Sequence, residues 1–149
     1  EGGEPFTLAE LLEAARLAGG AAHRFCVLQT PLNLTNAGLS AAAHDPERYG
    51  GKSLLEAAAE EGLIVLAAAP LGEGALARGL PPVLHRFFPG CETDSQRALQ
   101  FARSLPGVAC AVVGARRTEH VGENAALMKL PRANGALMAK LRDAMKGGD

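Results

Sequence analysis

Short apolar runs alternate along this chain with stretches in which apolar residues recur every three or four positions. "FTLAELLEAARLAGG", from Phe6 to Gly20, has the helical spacing. Thr7 with Glu10 three residues later makes a capping box, and Gly19–Gly20 supplies the stop. "RFCVLQTPLN" is a continuous apolar run ended by Pro31 and predicts a buried strand. "SLLEAAAEEG" predicts a second helix from Ser53 to Gly62, and "LIVLAAAPLG" a second buried strand closed by Pro70 and Gly72. "DSQRALQFARSLPG" predicts a third helix, capped by Asp94 or Ser95 and stopped at Pro106–Gly107. "VACAVVG" then predicts a third strand, with a fourth helix after it and a terminal one in "NGALMAKLRDAMK".

The strands, starting near Arg24, Leu63 and Val108, read as apolar on both faces, as parallel strands covered by helices must be. Alternation of this kind is α/β organisation in a single domain over residues 1–149. Two segments lack periodicity. "TNAGLSAAAHDPERYGGK" is expected to be a solvated surface loop. Glu73 to Thr93, with Pro81, Pro82 and Pro89, is longer than the usual connection of about 4–6 residues, which hints at a functional role.

Composition adds limits. A formal net charge of −1 gives no global attraction to nucleic acid or an anionic membrane, so charge recognition must be local. No apolar stretch approaches spanning length and no signal peptide is visible, so the cytoplasm is the default location. Cys26, Cys91 and Cys110 are odd in number and far apart, which predicts neither a disulfide framework nor a metal site. Cys26 and Cys110 lie in apolar runs and are expected to be buried. With 4% aromatics and no Trp, the core is aliphatic and small-residue in character.

Electrostatics raises one question. Arg116 and Arg117 stand where the fourth helix begins, and a helix start disfavours cations because its dipole and unpaired N–H groups are positive. A phosphate bound at the strand end after Gly114 would cancel that cost, since parallel α/β folds gather ligands at the C-terminal ends of their strands. Otherwise both side chains point into water at a cost of a few tenths of a kcal/mol each.

Beyond this local signal, "VVGARRTEHVGEN" resembles the last strand and helix of the aldo-keto reductase family. In that family the corresponding turn and helix grip the 2′-phosphate and adenine of NADPH. The resemblance implies cofactor contacts at Gly114, Ala115, Arg116, His120, Glu123 and Asn124, with His120 standing where the family often has Arg or Gln. "VLQTPLNL" is similar to the family's sixth strand, which would set Gln29 on the nicotinamide amide. "GLIVLAAAPLGEGALARG" is similar to its seventh strand and turn, which would set Leu71, Gly72 and Glu73 along the pyrophosphate path. The fold implied is a partial TIM (β/α)8 barrel, with about three parallel strands alternating with helices plus a C-terminal helix.

Two departures qualify the implied function. Ala68 replaces the Tyr that usually stacks on the nicotinamide. A complete barrel needs about 250 residues, and nothing here matches the motifs of the family's catalytic Asp, Tyr, Lys and His. His44, Asp45, Tyr49 and Lys52 crowd into one loop but lack the rigid frame that catalysis needs. His85 falls where the long loop could cover a bound nicotinamide, and Phe87 and Phe88 are expected to pin that loop down.

The resemblance thus implies the NADP(H)-binding part of an oxidoreductase, with NAD(H) left open. A small carbonyl substrate would enter only if an N-terminal half completed the barrel. The other reading is a non-catalytic half-barrel that binds or associates. An open three-stranded sheet exposes edges and an apolar face, so self-association is expected.

Overall fold

The computed structural model describes residues 6–36 and 46–146. Helix α1 (Leu8–Gly19) starts with the predicted capping box: Glu10 N–H donates to the Thr7 hydroxyl, and Thr7 N–H donates to the Glu10 carboxylate at 2.7 Å. Strand β1 (Val27–Pro31) follows, then a single helical turn, α2 (Pro46–Tyr49), and α3 (Leu54–Glu60). Ser53 and Glu56 repeat the capping box at the start of α3, and Gly62 ends that region with a left-handed φ of 69°. Strand β2 (Ile64–Ala68), α4 (Asp94–Ser104), β3 (Val108–Ala111), α5 (Thr118–Ala126) and α6 (Gly135–Lys146) complete the order. Thr93 caps α4, one residue earlier than the sequence suggested: its hydroxyl accepts from Gln96 N–H while Asp94 becomes the first helical residue.

The three strands form one parallel sheet in the order β1-β2-β3. Val27 pairs with Ile64 and Pro31 with Ala68, and an irregularity between Val65 and Leu66 resets the β2–β3 register so that Leu66 meets Cys110. Among the described residues, helices cover one face only. Leu28, Val65, Ala67 and Val108 are buried beneath them, whereas Val27, Ile64 and Val112 on the strands or their ends stay 40–50% exposed. The expectation of strands covered on both faces is therefore corrected. An apolar run records only that a side chain avoids charge, and the helices present here number enough to cover a single side.

Burial of the cysteines is corrected for the same reason: Cys26 and Cys110 are exposed, and Cys91 is buried. The expected loop from Glu73 to Thr93 is ordered by 3-10 turns at Gly72–Gly74 and Pro82–Phe87. Phe87 and Phe88 pin it, at 5% and 1% exposure, as expected from the sequence. The other loop is less solvated than expected. His44 and Asp45 lie outside the described residues, but Tyr49 is buried and its hydroxyl donates to Glu61, while Lys52 pairs with Glu60.

Polar side chains of α4 knit the C-terminal segment to that helix. Gln100 donates to the Pro131 carbonyl and Arg103 to that of Leu130, both at 2.7 Å, while Ala133 N–H donates to Ser104. Among the described residues no helix is long and apolar enough to cross a membrane.

Candidate functional site

The C-terminal ends of β2 and β3, the N-terminal end of α4 and one side of α5 converge on a cavity of about 1040 Å³. This is the edge at which parallel α/β folds bind ligands: strand ends supply backbone turns and helix starts direct free N–H groups toward them. From β2 come Ala69, Pro70 and Leu71, and from β3 come Val112, Val113 and Gly114. Asp94, Ser95 and Arg97 enter from the first turn of α4, and His120, Glu123 and Asn124 from α5.

The chain bends sharply where it leaves β2. Ala69 has φ 44°, and Gly72, Glu73 and Gly74 follow with φ of 52°, 57° and 99°. Left-handed backbone is free for glycine but costs a residue with a Cβ roughly 1–2 kcal/mol. The bend is held by two bonds to the Ala69 carbonyl, from the Asn33 side chain at 3.0 Å and from Gly72 N–H at 2.9 Å. Buried Asn33, invisible as a signal in the sequence, thus fixes the turn from the neighbouring strand end.

Polar bonds join the start of α4 to the middle of α5. The Thr93 hydroxyl donates to the Glu123 carboxylate, and the Gln96 side chain donates to the Glu123 carbonyl at 3.0 Å. A second set ties the long connection to α4. Arg97, only 8% exposed, pairs with Asp94 at 3.0 Å and donates to the carbonyls of Cys91 at 2.8 Å and Glu92 at 3.3 Å. Asp94 in turn accepts from Leu80 N–H at 3.1 Å.

Of the residues singled out from the sequence, the cavity brings together Leu71, Glu73, Gly114, His120, Glu123 and Asn124. Gln29, Gly72, Ala115 and Arg116 are not part of its wall. Gln29 stands on the uncovered sheet face in register with Leu66, itself paired with Cys110. Arg116 is exposed two residues beyond Gly114, and Arg117 leans on Glu119 at 3.4 Å, with both of those side chains more than two-thirds exposed. Gly114 itself needs no left-handed φ, and a Cβ there would meet open space, so the turn alone does not require glycine.

Carboxylates outnumber guanidiniums in the wall: Glu73, Glu92, Asp94 and Glu123 face Arg78 and Arg97. Asp94 and Arg97 neutralise each other and Glu123 is held by Thr93. Arg78 has no ion-pair partner among the described residues, and His85 and His120 also line the space. Sequence reasoning missed Arg78 and Arg97. Arg78 lies in an aperiodic segment with no motif to mark it, but the i,i+3 spacing of Asp94 and Arg97 was a readable sign of a pair. Among the described residues no group of three or more His, Cys, Asp or Glu could hold a metal ion.

Beside this surplus of carboxylates the wall offers apolar surface and hydrogen-bonding groups of the kind that ring- and sugar-bearing ligands use. The apolar stretches from Ala69 to Leu71 and Val112 to Val113 offer surface for rings, and Asn124 and His120 can hydrogen-bond sugar or base. An anionic linkage would have Arg78 and the start of α4 available.

No family profile matches the chain, and no curated protein matches it. Solved structures do. A thermostable aldo-keto reductase, Tm1743, solved with the inhibitor epalrestat, matches 93% of this chain with TM-score 0.61 and 23% identity. The aldo-keto reductase AKR11C1 from Bacillus halodurans matches in its holo form over 89% of this chain with TM-score 0.58 and 16% identity. Its apo form matches over 95% with TM-score 0.56 and 15% identity. The chain spans about half of these barrels, 45%, 46% and 58% of their lengths. What is shared at such identity is architecture: the chain has the fold of a partial aldo-keto reductase barrel.

Proposed function

We propose that this chain is the NADP(H)-binding part of an aldo-keto reductase-type oxidoreductase. The observation that carries the reading is the single cavity at the strand ends, in which Leu71, Gly114, His120, Glu123 and Asn124 meet. These are residues from two separate sequence segments that resemble cofactor-binding turns. Leu71 and Glu73 would run beside the pyrophosphate, and His120, Glu123 and Asn124 beside the adenosine, with Arg116 reaching in from the exposed turn two residues beyond Gly114 and Gln29 reserved for the nicotinamide. NADP(H) is favoured over NAD(H) because Arg116 offers a cation beside the ribose. Bound, the cofactor supplies hydride. A small carbonyl substrate and the Asp, Tyr, Lys and His that act on it belong to strands that have no counterpart in this sequence.

Titration of the chain with NADPH, followed by cofactor fluorescence, tests the reading. Binding is expected, and Arg116→Ala should weaken it about tenfold, the low end of what loss of a charge-assisted contact costs because Arg116 is exposed. No binding by the folded chain overturns it. With an aromatic aldehyde added, no NADPH should be consumed by this chain alone.

The uncovered sheet face favours a second role, which we propose beside the first: self-association. Val27, Ile64 and Val112 are apolar and exposed there, and parallel sheets are found with both faces covered. Two copies would bring together six parallel strands, against the eight of a complete barrel. Pro31 removes an N–H from the end of β1, and Arg132 occupies the carbonyls of Val108 and Ala109 at 2.7 and 2.8 Å. The contact would therefore use the face more than the strand edges.

A further inference from the structure

We propose that Asp94 and Arg97 act as a latch that holds the connection from Leu71 to Glu92 in the shape that receives the dinucleotide. This rests on the nucleotide reading above and names the residues that position its binding wall. The connection supplies Leu71, Glu73, Ala77, Arg78, Leu80 and His85 to the cavity, yet it has no ladder of its own to hold it. One turn of α4 holds it at three places. Ser95 donates to the Ala77 carbonyl at 3.5 Å, Asp94 accepts from Leu80 N–H, and Arg97 donates to the Cys91 and Glu92 carbonyls. Asp94 and Arg97 then bond to each other, so the middle of the connection at Leu80 and its C-terminal end at Cys91 and Glu92 are fixed against one ion pair.

The cost of this arrangement separates it from ordinary packing. Desolvating a guanidinium is expensive, and an apolar residue of similar size often replaces a buried ion pair without loss of stability. Arg97 even leaves its Nε buried and without a partner. An apolar side chain, however, could not bond to Leu80 N–H and two carbonyls at once. The pair and its three outward bonds fix geometry, and the geometry they fix is the wall around Arg78, the one guanidinium there free of an ion-pair partner among the described residues. Asp94 and Arg97 are positioning residues, acting on the ligand through the backbone they hold.

The test uses Asp94→Ala and Asp94→Asn, the second because removing the whole carboxylate leaves the buried Arg97 guanidinium without its ion pair, a cost to folding unrelated to binding. NADPH affinity and dissociation rate are measured beside amide hydrogen exchange of residues 71–92. Asp94→Ala is expected to bind NADPH about tenfold more weakly, through faster dissociation, as loss of a charge-assisted bond predicts. Its amides from Gly72 to Leu80 should exchange faster without ligand while those of β2 keep their protection. Asp94→Asn, which retains an acceptor for Leu80, should fall between it and the wild type. Wild-type affinity in Asp94→Ala overturns the latch, as does weaker binding with unchanged exchange. A wild-type chain that binds no NADPH overturns the nucleotide reading and this positioning role together, and is distinguished by failing before any substitution is made.

Discussion

Burial raises the Cys91 thiol above its ordinary range, and the charges of Arg97 and Arg103 only partly oppose the shift. A thiol so placed is protonated at neutral pH and inert, whereas Cys26 and Cys110 are open to reagent. Iodoacetamide at pH 8 should modify Cys26 and Cys110 within minutes and Cys91 only after denaturation, read by mass spectrometry of the peptides. Rapid labelling of native Cys91 would contradict its placement. Strain belongs to the same scale. Ala69 holds a left-handed φ at the mouth of the cavity, a conformation that a β-branched side chain tolerates poorly. Ala69→Val should destabilise the chain by about 1–3 kcal/mol in urea unfolding, and Ala69→Gly should not.

Helix starts carry the most readable chemistry at the scale of elements. In α3, Ser53 and Glu56 exchange bonds with each other's backbone, and Ser53→Ala should cost about 1 kcal/mol. In α1, bonds from Thr7, first from its backbone and then from its hydroxyl, lower the Glu10 pKa from its ordinary 4.5. A carboxylate lowered in the folded state stabilises above its unfolded value, and that contribution is lost as pH falls through the folded one. The stability difference between wild type and Glu10→Gln should therefore shrink as pH drops from 6 toward 3; a constant difference would show that the carboxylate makes no such bonds. Both boxes were legible in the sequence because capping needs only residues three apart. The Thr93 cap was less so: Thr, Asp and Ser stand in a row there, and only the helix's packing against β3 and α5 selects among them.

At the scale of the whole molecule, one cluster of buried aliphatic and aromatic residues sits between the helices and one face of the sheet. Phe101 of α4 is at its centre with no exposure, and Phe101→Ala should cost about 3–5 kcal/mol. That is a large part of the roughly 5–15 kcal/mol that holds a domain together. The opposite face is uncovered. In sedimentation velocity the wild type is expected to self-associate with rising concentration, and Ile64→Asp, which sets a charge on that face, should shift it to monomer. A wild type that stays monomeric at high concentration would exclude the association.

By itself the sequence determined the order of strands and helices, the caps of α1 and α3, and the two turns whose residues meet in the cavity. Those features depend on neighbours in the chain, through spacing, caps and glycine. Tertiary structure alone decided which sheet face is covered, which cysteines are buried, and which charged groups reach the cavity. Arg78 and Arg97 enter the wall while Arg116 remains at the surface, because a side chain's position in space depends on how distant segments pack. An apolar run specifies a strand; only packing specifies what lies against it.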